Sequence, residues 1–118
     1  MHSKTGKFGL AGLAPSALLL LLCNAAVAAG DAGRGQGLYA VCATCHGPSG
    51  EGMREMNAPA LAGREAWYIQ RQLENFKSGA RGSNPGDIYG MQMAPMAQIL
   101  ADKQAIEDVA AYLSSLSD

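Results

Sequence analysis

Cysteine and histidine are scarce in this sequence, and several common patterns are missing from it. Three cysteines in 118 residues are too few for the multi-disulfide framework that supports many small exported domains. The nine basic residues form no run that would suggest nucleic-acid binding. No segment alternates β-branched and polar residues as a strand does, and there is no internal repeat. These absences leave one small domain that is not built from strands.

The N-terminal segment has the composition of an export signal. Lys4 and Lys7 precede an apolar stretch that includes five consecutive leucines, residues 18–22, and ends in small residues, 25–29. This order of basic, apolar and A-x-A residues predicts a secretory signal peptide over residues 1–28 that is removed after export.

An uncleaved membrane anchor is the alternative for this segment. The leucine-rich stretch is short for a membrane span, and Pro15 and Asn24 interrupt it. We therefore favour cleavage after Ala28, with Ala29 as the second option. The mature domain, residues 29–118, is then predicted to be periplasmic and to lack a membrane span.

Cleavage changes both the charge and the supply of ligand side chains. It leaves seven basic and ten acidic residues, a net charge of −3, and it removes His2 and Cys23. The mature chain then holds one histidine, His46, and two cysteines, Cys42 and Cys45. A domain of about 90 residues buries a modest share of its surface and often needs a cofactor to complete its core.

Three segments have the apolar periodicity of helices, and the sequence therefore predicts an all-α fold. The first, over 31–42, begins at an aspartate that can cap it, and the others span about 64–77 and 102–116. Long loops over 47–63 and 78–96 are predicted between them. Loops of this length are uncommon in so small a domain, unless both of them pack against a bound cofactor.

The segment Cys42-Ala43-Thr44-Cys45-His46 carries the chemistry. C-x-x-C-H is the attachment signature of c-type haem: on one helical turn, two thiols can bond the haem vinyl groups while the adjacent imidazole binds iron. A dithiol redox pair is the first alternative, but it is usual in a βαβ context and this sequence predicts no strands. A zinc site is the second, but tetrahedral zinc needs four ligands and the mature chain offers only two cysteines and one histidine. The motif therefore predicts one haem c, attached through Cys42 and Cys45, with His46 on its iron.

Fast electron transfer needs a second axial ligand, and the mature chain has no second histidine. Methionine is the usual partner of histidine in cytochromes, where it raises the reduction potential. Met53 and Met56 follow the haem motif too closely to reach the opposite side of the ring. Met91, Met93 and Met96, in the predicted loop before the last helix, remain as candidates.

Several further segments combine with the haem motif into a family pattern: Gly35 to Tyr39, residues 57–63, Tyr68, Gln72-Leu73, residues 76–79, residues 93–96, Leu100 and residues 108–113. With them the sequence resembles the class I c-type cytochromes, and most of all a single haem domain of the cytochrome c4 type and its monohaem relatives. The resemblance covers nearly the whole mature chain. Cytochromes of the c4 type carry two such domains in tandem, whereas this chain carries one.

The resemblance implies the class I cytochrome c fold, with three main helices and long loops around one covalently attached haem. It also implies that the methionine on the iron lies seven residues before the leucine that opens the last helix. If that leucine is Leu100, the implied ligand is Met93. The carbonyl of Pro59 is implied to accept a hydrogen bond from Nδ1 of His46, as a partner that orients an axial histidine does.

The resemblance further implies that Gly35 and Tyr39 meet Tyr112 where the first and last helices cross. One departure concerns the start of the last helix, where the family often has Ser or Thr and this chain has Ala101. Asp102 is the alternative capping residue. Residues that can contact the haem propionates are Trp67, Tyr68, Arg71 and Arg81.

These features predict an electron carrier that exchanges single electrons with redox partner proteins and catalyses no bond chemistry. A second interpretation makes the domain a dedicated electron-transfer subunit of a larger oxidoreductase or oxidase. A haem that binds a gas or acts on peroxide, with the methionine absent or labile, is a third, and a thiol reductase a distant fourth.

Overall fold

The chain folds as a set of helices joined by turns, in a computed structural model that describes residues 29–117 together with Gly9 and Gly12. Apart from those two glycines, the predicted signal segment lies outside the described residues, as does Asp118. The helices are α1 (Ala32–Tyr39), α2 (Ala43–His46), α3 (Ala66–Ser78), α4 (Ile88–Ala97) and α5 (Lys103–Ser115). A 3₁₀ turn at Arg54–Met56 and one isolated bridge, between Met53 and Ala58, complete the list. Residues 29–117 contain no strand, and the all-α prediction is confirmed.

Helices α1 and α5 cross at close range because α1 has glycine at the contact. A Cβ on Gly35 would overlap the backbone carbonyl of Asp108 and lie 2.9 Å from Cβ of Tyr112. The rings of Tyr39 and Tyr112 lie beside this crossing, with their centroids 5.5 Å apart. The predicted meeting of Gly35, Tyr39 and Tyr112 is therefore present, and it fixes the helix that leads into the haem motif.

The hydrophobic core lies between α1, α3, α4 and α5. Its buried members are Tyr39, Ile69, Leu73, Phe76, Ala97, Leu100, Ile106, Val109, Ala110 and Leu113. The apolar stripes predicted for the second and third helices supply most of these side chains. The observed bounds of α3 and α5 differ from the predicted ones by at most two residues, which is ordinary uncertainty at helix ends.

Aspartates cap α1 and α5, as their sequence positions suggested. The Asp31 carboxylate accepts a hydrogen bond from the backbone N–H of Arg34 at 3.0 Å, and the Asp102 carboxylate accepts one from Ala105 at 2.8 Å. Each thereby satisfies a backbone donor that the first turn of a helix leaves without an intrahelical partner. Helix α3 ends at Ser78, and the next residue, Gly79, has a left-handed φ of +79°, as glycine allows.

The predicted loop over 78–96 is wrong in its second half, because residues 88–97 form α4. Gly90 and Pro95 are ordinary loop signals, and the helix tolerates both. A Cβ on Gly90 would overlap the Asp87 carboxylate that caps the helix by accepting its N–H at 2.9 Å. Pro95 lies near the C-terminal end, so it removes one backbone hydrogen bond and only a short stretch of helix follows it.

The first helix is also shorter than predicted. It ends at Tyr39 instead of continuing to Cys42, and after a turn the chain enters the separate short helix α2. Glycines in α1 at 33, 35 and 37 weaken helix propagation. The break sets the direction of α2 independently of α1.

Candidate haem site

The haem motif lies on a single helical turn. The carbonyl of Cys42 accepts hydrogen bonds from the backbone N–H groups of Cys45 at 3.1 Å and His46 at 3.0 Å. Because residues three and four apart on a helix share a face, Cys42 lies on one side with both Cys45 and His46. The local hydrogen bonds thus bring the two thiols and the imidazole together.

Neither cysteine of this turn is in a disulfide, and both are partly buried. Burial is the main reason that the pKa of Cys42 is raised above its usual value, and the neighbouring Cys45 adds to the effect. Redox-active C-x-x-C pairs instead have a depressed thiol pKa, which makes the attacking thiolate available. The pKa of Cys42 is shifted in the opposite direction.

His46 is buried, with 6% of its surface exposed, and its ring is held by a loop carbonyl. Nδ1 lies 2.8 Å from the carbonyl oxygen of Pro59. A carbonyl oxygen can only accept, so Nδ1 carries the proton and donates it. The lone pair is then on Nε2, which is the nitrogen available to a metal, and the hydrogen bond to Pro59 fixes the ring and raises its basicity.

Gly52 allows Pro59 to come this close to His46. Its backbone N–H donates to the carbonyl of His46 at 2.7 Å, and its φ is +82°. A Cβ on Gly52 would lie 2.6 Å from the backbone nitrogen of Ala60 and 2.8 Å from the carbonyl carbon of Pro59. Any side chain here would push the Pro59 segment away from the imidazole. The sequence analysis did not identify Gly52, although its place between the motif and Pro59 was the available signal.

Tyr39 supports the turn that follows His46. Its hydroxyl donates to the carbonyl of Gly47 at 2.7 Å, and its side chain is 2% exposed. Burial raises the pKa of Tyr39 to about 12, so the hydroxyl keeps its proton and remains a donor. The end of α1 is therefore tied to the end of the haem motif by a buried hydrogen bond.

The three methionines that the sequence left open all lie on α4, not in a loop, and they differ in exposure. Met91 is 46% and Met96 38% exposed, whereas Met93 is partly buried and packs against the hydrophobic core. Cys42 packs against the same core. Of the two methionines that follow the haem motif closely, Met56 is 47% exposed and lies on the 3₁₀ turn, and Met53 immediately precedes that turn.

The predicted site residues fall into two groups. Hydrogen bonds and chain geometry bring Cys42, Cys45, His46 and Pro59 together, and Met93 joins them only through the core that it shares with Cys42. Two thiols, an imidazole and a thioether are the side chains by which proteins hold haem c and its iron. Residues 29–117 contain no cluster of three or more His, Cys, Asp or Glu side chains placed to bind a metal. The two thiols, the imidazole and the thioether fit haem c and its iron.

The candidate propionate contacts are spread along α3 and the turn after it. Arg71 lies 6.0 Å from the ring centroid of Trp67, and Arg81 lies 4.6 Å from that of Phe76 while donating to Gln72 at 2.8 Å. Trp67 and Tyr68 line an open cleft of about 860 Å³. None of the five predicted site residues lines this cleft. Trp67, Tyr68 and Arg71 lie beside one another, whereas Arg81 lies apart from them, over Phe76.

A comparison with known families decides the identity of the domain. The profile of the family described as Cytochrome c matches residues 32–117, which contain every helix described above. The chain belongs to the cytochrome c family. Haem c, attached covalently and containing iron, is therefore the cofactor of this cytochrome.

Relatives of this cytochrome refine the comparison. It is 43% identical over 103 residues to cytochrome c4 of Stutzerimonas stutzeri, and this alignment covers 83% of this chain and 47% of the relative. It is 41% identical over 108 residues to the thiosulfate dehydrogenase electron acceptor of S. stutzeri strain A1501, covering 88% and 46%. Cytochrome c-554(547) of Halothiobacillus neapolitanus is 35% identical over 95 residues, covering 75% of this chain and 99% of the relative.

A solved structure agrees with the sequence relatives. The crystal structure of reduced recombinant cytochrome c4 from Pseudomonas stutzeri superposes with a TM-score of 0.61 and 40% identity, covering 75% of this chain and 47% of that one. The predicted class I cytochrome c fold is confirmed. The chain spans about half the length of the first curated relatives that it matches.

Proposed function

We propose that this cytochrome is a periplasmic carrier of single electrons, with one haem c held by two thioether bonds to Cys42 and Cys45. His46, through Nε2, and Met93, through its sulfur, would be the axial ligands of the iron. The haem supplies the one-electron chemistry when bound. The chain positions the group, sets its potential and excludes water from it.

The observation that carries this proposal is the hydrogen bond between Nδ1 of His46 and the carbonyl of Pro59. It fixes a buried imidazole in the tautomer that leaves Nε2 unprotonated, on the same helical turn as two cysteines that are in no disulfide. Such an imidazole is prepared to bind iron as a neutral ligand.

Exposure and position together favour Met93 over its neighbours. Met91 and Met96 point outward from α4, while Met93 packs toward the core side of the helix. A methionine on the iron must be shielded from water for the bond to raise the potential. With both axial positions taken by side chains, a substrate has no open position on the iron, so the protein itself would catalyse no reaction.

A second role is that of electron acceptor to a particular dehydrogenase. One relative with 41% identity is named a thiosulfate dehydrogenase electron acceptor, so a periplasmic dehydrogenase is a candidate donor. The dedicated subunit of a larger oxidoreductase differs from a free carrier only in how long the two proteins stay together. Co-purification of this cytochrome with a dehydrogenase at stoichiometric amounts would favour the subunit.

The proposed periplasmic location can be tested by cell fractionation. Among residues 29–117, no helix is both long and apolar enough to cross a membrane, and the order of basic, apolar and small residues over 1–28 is that of a secretory signal peptide. We expect the full chain, produced with the haem maturation system, to appear in the periplasmic fraction beginning at Ala29 or Gly30.

The decisive experiment is mass spectrometry combined with visible spectroscopy on the purified protein. We expect the mass of one haem added to the processed chain, and a far-red band in the oxidised state that reports the bond between iron and methionine sulfur. A haem adduct without that band would favour gas binding or peroxide chemistry. A colourless protein of bare polypeptide mass would contradict the proposal.

A further inference from the structure

Helix α4, which carries Met93, has little internal support of its own. It contains no Asp, Glu, Lys or Arg, so no ion pair between its own side chains stabilises its turns. Pro95 has no backbone N–H and cannot donate to the carbonyl of Met91, one turn before it. The second half of α4 therefore gains more than an ordinary helix from contacts with other parts of the chain.

Two hydrogen bonds connect the end of α3 to the chain just after α4. The ammonium group of Lys77 donates to the carbonyl of Leu100 at 2.5 Å, and the side-chain amide of Gln98 donates to the carbonyl of Lys77 at 3.1 Å. Lys77 thus takes part in both bonds, once as donor and once as acceptor. We call this pair of bonds the α3–α4 clamp.

The two bonds of the α3–α4 clamp differ in strength. Lys77 is partly buried and Leu100 is 4% exposed, so their bond is shielded from water, and its charged donor makes it stronger than a neutral bond. Gln98 is exposed, and water competes there for both groups. Lys77 therefore contributes most of the stabilisation that the clamp gives to α4.

A close backbone contact holds the other end of α4. A Cβ on Gly82, in the loop that follows α3, would overlap the carbonyl of Gly90 and lie 3.0 Å from Cβ of Ala94. Helix α4 is therefore attached at both ends to α3 and the loop after it. Met93 lies between the two attachments, three residues after Gly90 and seven before Leu100.

A side chain moves with the helix that carries it, so these attachments decide where the sulfur of Met93 lies. We propose that Lys77, by holding the carbonyl of Leu100, keeps α4 in the position in which Met93 binds the iron. Lys77 is then a positioning residue for the axial methionine, and it acts through α4. This inference rests on Met93 as the iron ligand, as proposed above.

Loss of the α3–α4 clamp makes it easier for another ligand to replace the methionine. When free imidazole does so in the oxidised protein, the iron–sulfur bond breaks and an iron–nitrogen bond forms, and no electron or proton is transferred. The apparent affinity for imidazole rises with the fraction of molecules in which methionine has left the iron. Because the clamp favours the bound position, its removal increases that fraction.

Imidazole titration of the oxidised holoprotein at neutral pH, followed by loss of the far-red band, tests the proposal. Lys77→Leu keeps an apolar side chain without the ammonium group, and it should bind imidazole about tenfold more tightly than the parent, as expected for one lost charge-assisted hydrogen bond. Lys77→Arg keeps a charged donor and should stay within about threefold of the parent. Gln98→Ala removes only the exposed bond and should also change the affinity by less than about threefold.

Two controls separate positioning from general effects on charge and stability. Lys103→Leu removes the same charge from α5, where the side chain is 73% exposed and lies 3.6 Å from Glu107, and it should leave the imidazole affinity unchanged. Asp108→Asn weakens the hydrogen bonds between α5 and the start of α1. It should lower the overall stability but keep the imidazole affinity within about twofold of the parent.

Several results would overturn the proposal. They are an unchanged imidazole affinity in Lys77→Leu, an equal rise in Lys77→Arg or in either control, and a larger rise in Gln98→Ala. Each of them would leave the proposed electron-transfer function untouched, because the parent would still show the far-red band. A parent protein without that band would instead contradict the assignment of Met93, and this inference with it.

Discussion

At the scale of single residues, Tyr39 links the packing of the core to the haem motif. Its hydroxyl satisfies the carbonyl of Gly47 in a place that water does not reach. Tyr39→Phe would keep the ring packing but leave that buried carbonyl without its donor, at a cost of about 1–3 kcal/mol in the free energy of unfolding. Chemical denaturation of the holoprotein measures this cost.

Tyr112→Phe is a matched control, since Tyr112 is partly buried at the same helix crossing. Removing its hydroxyl should change the free energy of unfolding by less than about 0.5 kcal/mol, as for substitutions away from buried polar contacts. If the two variants lose the same free energy of unfolding, the hydrogen bond to Gly47 does not stabilise the fold measurably.

Met93 carries the second prediction at this scale. Met93→Leu should abolish the far-red band of the oxidised protein and lower the reduction potential by on the order of 0.1 V or more, within the span of about 0.8 V that axial ligands control. Met91→Leu and Met96→Leu should keep both properties, because these side chains point outward. Loss of the band in Met96→Leu alone would move the ligand to that residue.

At the scale of helices, glycine at the α1–α5 crossing gives a prediction with an internal control. Gly35→Ala would place a methyl group against the backbone of Asp108 and Cβ of Tyr112, and we expect a loss of about 1–3 kcal/mol from overpacking. Gly37→Ala, on the same helix with open space around it, should stabilise by about 0.5–1 kcal/mol. Thermal denaturation of the two holoproteins compares them directly.

The helices also show how far sequence reasoning reaches. Helices α3 and α5 were predictable because each buries one apolar stripe, so that periodicity and burial coincide. Helix α4 was not, because apolar side chains lie on both of its sides and Gly90 and Pro95 resemble loop signals. The Gly82 loop packs closely on this helix, and such a contact leaves no local pattern in the sequence.

The site divides in the same way. The haem motif is local and specific, so it was found directly, and the family resemblance supplied Pro59 and Met93. The resemblance also supplied the distant contact of Gly35 and Tyr39 with Tyr112. Two contacts between residues seven or eight apart were not predicted, namely Gly52 against Pro59 and the Tyr39 hydroxyl on the carbonyl of Gly47. Each depends on where a turn directs the chain, which the residue types alone do not determine.

At the scale of the whole molecule, one buried carboxylate holds the N-terminal and C-terminal parts together. Asp108 on α5 is 3% exposed and accepts hydrogen bonds from Arg34 at 2.9 Å, the backbone N–H of Asp31 at 2.7 Å and Gln104 at 2.9 Å. The hydrogen bond from Arg34 is the main reason that the pKa of Asp108 lies well below its usual range. The hydrogen bonds from Asp31 and Gln104 lower this pKa further.

This lowered pKa makes stability depend on acid in a defined direction. The contribution of Asp108 is complete above the pKa of an unfolded aspartate, about 3.9, and is lost progressively as the pH falls below it. Asp108→Asn should therefore lower the Tm at neutral pH, with a difference from the parent that shrinks below about pH 4. Glu55→Gln, at an exposed site, should give a curve parallel to the parent. A constant difference for Asp108→Asn at all pH values would contradict this role.

The last prediction concerns what the cofactor does for the fold. The core of residues 29–117 has ten buried hydrophobic side chains, and ten other large ones are exposed, so apolar burial alone leaves a domain of this size marginal. The cofactor adds apolar surface and connects α2 to the segments around it. We expect the Cys42→Ala, Cys45→Ala double variant, matured without attached haem, to lose most of its helical circular dichroism and its cooperative melting. Helical signal and a sharp transition retained in that variant would mean that α1, α3 and α5 fold by themselves, and that the haem only occupies a framework already formed.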